Sequence, residues 1–189
     1  RVKPLGVPKT DIFFDGQSKT KIINQFFKQN SWLKGKKIYL FCPTFRGKWP
    51  NEVYYRTGID FSKIAEYFNQ DEVLLVKMHP ALNEYGGKHN VSFLDEKIIN
   101  VTHLDINELL FVCDVLVSDY SGVVFDAVLL NKPIFIYAED IDRYGRERGF
   151  IFDYRNIMPF PILEEPDEQK FVSLLRNVVI NKHTYDYFK

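Results

Sequence analysis

Three short stretches of this chain carry the residue types that hold and polarise phosphate. Pro43-Thr44-Phe45-Arg46-Gly47 offers a hydroxyl and a guanidinium, and Lys77-Met78-His79-Pro80 an amine and an imidazole. Ser118-Asp119-Tyr120-Ser121-Gly122 adds two hydroxyls, a carboxylate and an unhindered backbone position. Cationic and imidazole donors suit a pyrophosphate and the charge that builds on a phosphate leaving group. The third stretch follows the apolar run Val115 to Val117 and precedes Val123, Val124, Ala127, Val128 and Leu130, the pattern of a buried strand feeding a mostly buried helix. Ser121 or Asp119 is expected to cap that helix, whose free N–H groups and dipole favour an anion, and Gly122 lets another group approach the backbone. A capped turn of this kind is commonplace in α/β folds, so the phosphate reading rests on the three stretches together. Each residue alone has a plainer role: Arg46 an ion pair, Lys77 a solvated amine, His79 a hydrogen-bonded turn. Asp126, on the second turn of the helix, suits a ribose hydroxyl or a surface interaction. His89, His103 and His183 sit in polar or terminal contexts and receive no role. Asp119 has no second acid at metal-ligand spacing, so neither a metal nor a cofactor is expected.

The elements that must position these residues alternate along the chain. Strands are expected at 37–42, 72–78, 98–101, 115–117 and 133–138. Helices are expected at 18–30, after a cap at Asp60, at 108–113 behind a capping box opened by Asp105, after Gly122, and at 167–181. After the charged segment 139–148, to which no element is assigned, Phe150-Ile151-Phe152 is expected to be an irregular or short extended piece. Strands alternating with helices call for a Rossmann-like parallel sheet with helices on both faces and right-handed crossovers. In such a sheet ligands sit outside the carboxyl ends of the strands, near a reversal of strand order. All three stretches leave strand ends, so one edge is expected to collect Arg46, Lys77, His79 and the serine turn. Arg46 and His79, polar and at strand ends, are expected to matter little for stability.

The totals fit one domain of 189 residues. Hydrophobic residues make up 46%, and 17 Phe with 11 Tyr predict a core rich in ring packing. With 25 basic and 25 acidic residues the chain advertises no nucleic-acid surface. Cys42 and Cys113 make no disulfide framework and are expected to be buried thiols of a reducing compartment. No run reaches the length of a membrane span. The Pro-broken opening, which is no signal peptide, and the aromatic close at Tyr187-Phe188 read as a piece of a longer protein.

The order and spacing of Pro43-Thr44-Phe45-Arg46, Lys77-Met78-His79-Pro80, Ser118-Asp119-Tyr120-Ser121, Asp126 and Arg148-Gly149-Phe150 resemble the CDP-glycerol glycerophosphotransferase family of teichoic acid synthesis. The opening Gly6-Val7-Pro8-Lys9-Thr10-Asp11 is similar to the segment entering that family's second domain. The resemblance implies the C-terminal, nucleotide-binding half of a GT-B fold. It places Arg46 and His79 as catalytic groups on the donor pyrophosphate and Ser118 and Ser121 at its phosphate turn. Asp126 would lie near the ribose, with Thr44, Lys77, Asp119 and Gly122 also binding the donor. It further implies a CDP-glycerol or CDP-ribitol donor, a polyol-phosphate polymer or lipid-linked acceptor, and release of CMP. The setting would be cytoplasmic, at the inner face of the cell membrane, with membrane contact only through parts outside this chain. Two departures stand out. Gly122 replaces a serine that many members carry, so any phosphate contact there comes from backbone N–H. The family's other catalytic histidine, in a Trp-His-Gly-type segment of the N-terminal domain, has no counterpart here. A GT-B glycosyltransferase using a UDP-sugar and a non-catalytic nucleotide-binding domain are the alternative readings.

Overall fold

In the computed structural model, which describes residues 8–48, 52–84, 87–93 and 95–188, side-chain caps start most of the longer helices. Asp15 accepts from the Gln17 and Ser18 N–H groups and opens α1 (Gly16–Gln29), after which β1 (Lys37–Cys42) begins. A loop returns as the two-residue β2 (Tyr54–Tyr55), and Asp60 caps α2 (Phe61–Tyr67). Next come β3 (Glu72–Val76), α3 (Pro80–Glu84), β4 (Lys88–His89) and β5 (Ile98–Asn100). Asp105 accepts from the Asn107 and Glu108 N–H groups and starts α4 (Ile106–Val112), which leads into β6 (Val115–Ser118) and α5 (Val123–Leu129). The remainder is β7 (Ile134–Tyr137), α6 (Ile141–Glu147), α7 (Tyr154–Ile157), β8 (Ile162–Leu163), α8 (Glu168–Asn177) and α9 (Lys182–Phe188). The part of the expected opening segment that falls at residues 1–7 lies outside the described residues.

The main sheet has six strands in the order β5-β3-β1-β6-β7-β8, each pair parallel. The chain steps outward from β1 to β3 and β5, then returns to the other side of β1 with β6. That return creates the reversal, with Cys42 in register with Ser118 at its carboxyl end. Alternate strand residues feed two separate cores. Ile38, Leu40, Leu116 and Ile136 pack with α1, α4 and α5, whereas Tyr39, Phe41, Val117 and Phe135 pack with α2 and α8. Every strand of the interior is therefore apolar on both sides, as a doubly covered parallel sheet requires. Rings knit the second core, with Phe171 edge-on to Phe41, Phe135 and Tyr137.

Three features depart from expectation. The segment 139–148 forms α6, which buries only Ile141 and so lacks the apolar stripe that announces a helix. The edge strand β8 and the pair β2–β4 have two residues per strand, too few for any periodicity. The final helix breaks at Val178, where the β-branched run Val178-Val179-Ile180 disfavours a helix. The loop after β1 turns at Gly47, whose φ of 86° and approach to Glu52 exclude a side chain: a Cβ there would lie 1.8 Å from the Glu52 carbonyl oxygen. That turn lets Arg46 and Tyr54 exchange backbone hydrogen bonds.

Candidate functional site

Loops leaving the carboxyl ends of β1, β3 and β6 border a cleft of about 330 Å³ at the strand reversal. Lys77 and His79 line it from beyond β3, Ser121, Gly122 and Asp126 from the start of α5, and Lys9 from the opening 3-10 turn. The Ala81 N–H donates to His79 Nδ1 at 3.2 Å, so the neutral ring carries its proton on Nε2. Phe45 packs against the imidazole with ring centroids 4.9 Å apart. Burial pushes the His79 pKa below its ordinary value, against the opposing pull of Glu84 and Asp119. His79 is thus a neutral Nε2–H donor held from behind by backbone and ring. Lys77 Nζ donates to the Thr102 and Leu104 carbonyls at 2.9 and 2.6 Å, which ties the β3 and β5 ends together and leaves one ammonium N–H.

Of the two expected caps it is Ser121, not Asp119, that opens the helix, because Gly122 already has helical angles, φ −62° and ψ −11°. Ser121 Oγ accepts from the Val123 N–H at 3.3 Å, while the Ser121 and Gly122 N–H groups bond to none of the described residues. With seven residues, α5 offers only a modest dipole, so those two N–H groups are what the turn has for an anion. Asp126 accepts from Lys9 Nζ at 2.8 Å on the cleft wall.

Arg46 leaves the same edge as His79 and Ser121, yet it is not a free cation. It is 4% exposed and does not line the cleft. Its Nε and Nη2 pair with both Asp140 oxygens at 2.7 and 2.9 Å, and Nη1 lies 3.0 Å from Asp119 and 2.6 Å from the Thr44 carbonyl oxygen. Tyr120 and Tyr144, stacked at 3.9 Å, each lie 5.0 Å from the guanidinium carbon. Burial works against the Arg46 charge, but Asp140 and Asp119 more than offset it and raise its pKa. A guanidinium taken from water needs such partners. Asp119 in turn accepts from the Thr44 N–H at 2.9 Å, the Thr44 hydroxyl at 2.7 Å and the Tyr120 N–H at 2.7 Å. Burial pushes the Asp119 pKa up, and Arg46 and Thr44 pull it part of the way back.

These bonds correct several expected roles. Ser118 is fully buried and donates to the Cys42 carbonyl at 2.6 Å, so its hydroxyl faces a neighbouring strand and not a phosphate. Thr44 and Asp119 spend their donors and acceptors on each other and join the β1 and β6 loops. Neither thiol is paired, and both Cys42 and Cys113 are buried. Among the described residues no cluster of three or more His, Cys, Asp or Glu is placed to hold a metal, and no helix is long and apolar enough to cross a membrane. Two contributors went unanticipated. Asp140 lies three residues past β7 and was discoverable as another polar group leaving the carboxyl edge. Lys9 gives no such signal, because only the folded chain brings it to α5.

The profile of the CDP-Glycerol:Poly(glycerophosphate) glycerophosphotransferase family matches residues 1–187. The chain is 34% identical to the teichoic acid poly(ribitol-phosphate) polymerase of Bacillus spizizenii, over 97% of this chain and 29% of that protein. It is 29% identical to the teichoic acid glycerol-phosphate transferase of Staphylococcus aureus, over 100% of this chain and 50% of that protein. The chain therefore spans between about a third and a half of these relatives. Among solved structures, the wall teichoic acid polymerase TagF superposes with a TM-score of 0.72 at 25% identity, covering 100% of this chain and 47% of that one. Anabaena Alr3699/HepE in complex with UDP-glucose matches in fold, with a TM-score of 0.52 at 10% identity over 89% of this chain and 45% of that one. On the match along nearly its whole length, the chain belongs to the CDP-glycerol:poly(glycerophosphate) glycerophosphotransferase family.

Proposed function

We propose that the chain is the nucleotide-binding domain of a two-domain GT-B enzyme that moves a polyol phosphate from CDP-glycerol or CDP-ribitol to an acceptor hydroxyl. The observation that carries this reading is the His79 Nε2–H donor, fixed by Ala81 and Phe45, in one cleft with the unbonded N–H groups of Ser121 and Gly122. An acceptor oxygen attacks the polyol-side phosphorus, the bond from that phosphorus to the CMP phosphate oxygen breaks, and CMP leaves with the electron pair. His79 donates to the leaving phosphate, Lys77 adds its field, and the turn N–H groups bind the remaining oxygens. One such preorganised donor contributes about 3–4 kcal/mol to lowering the barrier. Arg46 acts by position: through Asp119 it holds Thr44 and Tyr120, and with them both loops bordering the strand reversal. Asp126 stays the candidate for the ribose, shared with Lys9.

The base that takes the acceptor proton belongs, in this reading, to the N-terminal domain of the same protein. His79 is an unsuitable base because its outward nitrogen already carries hydrogen. Family membership and a TagF variant soaked with CDPG support a CDP-polyol donor. Relatives named for ribitol phosphate and for glycerol phosphate support either polyol in the donor. In this reading the acceptor is a polyol-phosphate polymer or a lipid-linked unit at the cytoplasmic face of the membrane.

Calorimetry of the chain with CDP-glycerol, CDP-ribitol, CMP and UDP-glucose tests the assignment. An open half-cleft is expected to bind a cytidine diphosphate ligand at about −4 to −5.5 kcal/mol, the high micromolar to millimolar range. His79→Ala is expected to weaken that binding. Preference for UDP-glucose would favour the glycosyltransferase alternative instead, and acceptor-dependent CMP release by this chain alone would place the base within it.

A further inference from the structure

A second cleft, of about 520 Å³, opens beyond the end of β7 and shares Asp140 with the Arg46 cluster. Its walls bring together Arg56, Arg143 and Arg146 with Glu139, Asp140 and Asp142. The carboxylates are already engaged. Glu139 accepts from the Gly58 N–H at 3.0 and 2.9 Å and from the Tyr137 hydroxyl. Asp140 is shared by Arg46, Arg143 and Tyr120, and Asp142 pairs with Arg155 at 2.8 Å. The guanidinium groups of Arg56 and Arg146, in contrast, make no hydrogen bond or ion pair with a described residue, although the Arg146 charge helps hold the Asp142 pKa down, and they reach the cleft from separate segments, the loop after β2 and α6.

Unpaired guanidinium forks beside anchored carboxylates are a mixed surface. The forks match phosphate oxygens, and the spare carboxylate lone pairs accept hydroxyls. A dense polyanion without hydroxyls would gain from the arginines but be repelled by the acids. A polyol phosphate carries both kinds of group at short spacing. We propose that this cleft is a subsite for a polyol-phosphate unit of the acceptor polymer, an assignment that rests on the functional reading above. Asp140, in the wall of this cleft, belongs with Arg46 and Asp119 to the cluster that joins the loops after β1 and β6 bordering the donor cleft.

The test is calorimetry of the chain and of its Arg56→Gln/Arg146→Gln variant with short oligo(glycerol phosphate), oligo(ribitol phosphate), glycerol 3-phosphate and CDP-glycerol. Both arginines are exposed, so thermal midpoints are expected to match and to verify the fold. Oligomer affinity is expected to fall about tenfold or more in the variant, the loss of a charge-assisted contact, with CDP-glycerol affinity unchanged. Unchanged oligomer affinity would overturn the subsite and leave the donor assignment standing. A fall in CDP-glycerol affinity alone would place the donor's own polyol phosphate here and equally overturn it. Glycerol 3-phosphate binding as tightly as the oligomers would assign the cleft to a free metabolite and not to a polymer. Arginine-dependent oligomer binding by a chain that binds no cytidine nucleotide would keep the subsite and refute the donor reading.

Discussion

Replacing Arg46 by methionine keeps much of the side chain's volume and removes its charge. Asp119, 1% exposed, and Asp140 then face each other's neighbourhood without the cation that both contact. Breaking a buried pair by deleting one partner typically costs about 3–5 kcal/mol, because the remaining charge stays desolvated. At a urea dependence of about 2 kcal/mol per M for a domain of this size, the unfolding midpoint should drop by about 1.5–2.5 M near neutral pH. The loss should depend on pH in a defined sense. In the native chain burial alone would raise the Asp140 pKa, but Arg46, then Arg143 and Tyr120, outweigh burial and hold it at about 2. A carboxyl held below its unfolded value adds stability above about pH 4, and that contribution disappears as pH falls toward 2. Without Arg46 the two carboxyls shift upward, and their cost is relieved as they take up protons. The deficit of Arg46→Met should therefore be largest near pH 7.5 and narrow toward about pH 5. Urea titrations followed by tyrosine and tryptophan fluorescence at the two pH values measure this. A midpoint within about 0.5 M of wild type near neutral pH, or a deficit that does not narrow on acidification, would refute the picture of Arg46 as a buried clamp. The expectation that Arg46 could be truncated with little loss of stability is thereby replaced.

Four further outcomes follow from the same geometry. In the full-length enzyme His79→Ala should lower kcat by about 10²–10³ with a small change in thermal midpoint, and His79→Gln, which retains an N–H donor, should lose less. Equal losses for both variants would count against hydrogen-bond donation. Ser118→Ala should cost about 1 kcal/mol of stability, through the lost bond to Cys42, and leave CDP-glycerol affinity unchanged. Ser121→Ala should cost about 0.5–1 kcal/mol of stability, through the lost bond from the Val123 N–H, and calorimetry should find weaker donor binding. Glu72 is held at a pKa of about 2 by Arg176, against burial, with the Asn69 N–H and Tyr39 hydroxyl assisting. Allowing for the part-exposed Arg176, Glu72→Gln should destabilise the chain by about 2–3 kcal/mol above pH 4.5, and the difference should vanish as pH approaches 2 in paired urea titrations.

The strand edge that gathers His79, Ser121 and Arg46 was legible in the chain because local signals define it. Apolar runs mark β1, β3 and β6, acids cap the helices after Asp60 and Asp105, and alternation with helices forces the strands parallel. Those signals depend on residues within a few positions of one another. What each polar group does at the edge depends on partners far along the chain. Arg46 reads as a phosphate ligand until the fold brings Asp140 to within 2.7 Å across 94 residues. Ser118 reads as part of the turn until its register against Cys42 directs its hydroxyl to the neighbouring strand. The short β8, and α6 with its single buried residue, owe their existence to tertiary packing that no local pattern encodes. Sequence determined which groups reach the edge. Only the folded structure decided which stay available to a ligand, because a buried charge or hydroxyl must be satisfied by whatever the packing brings beside it.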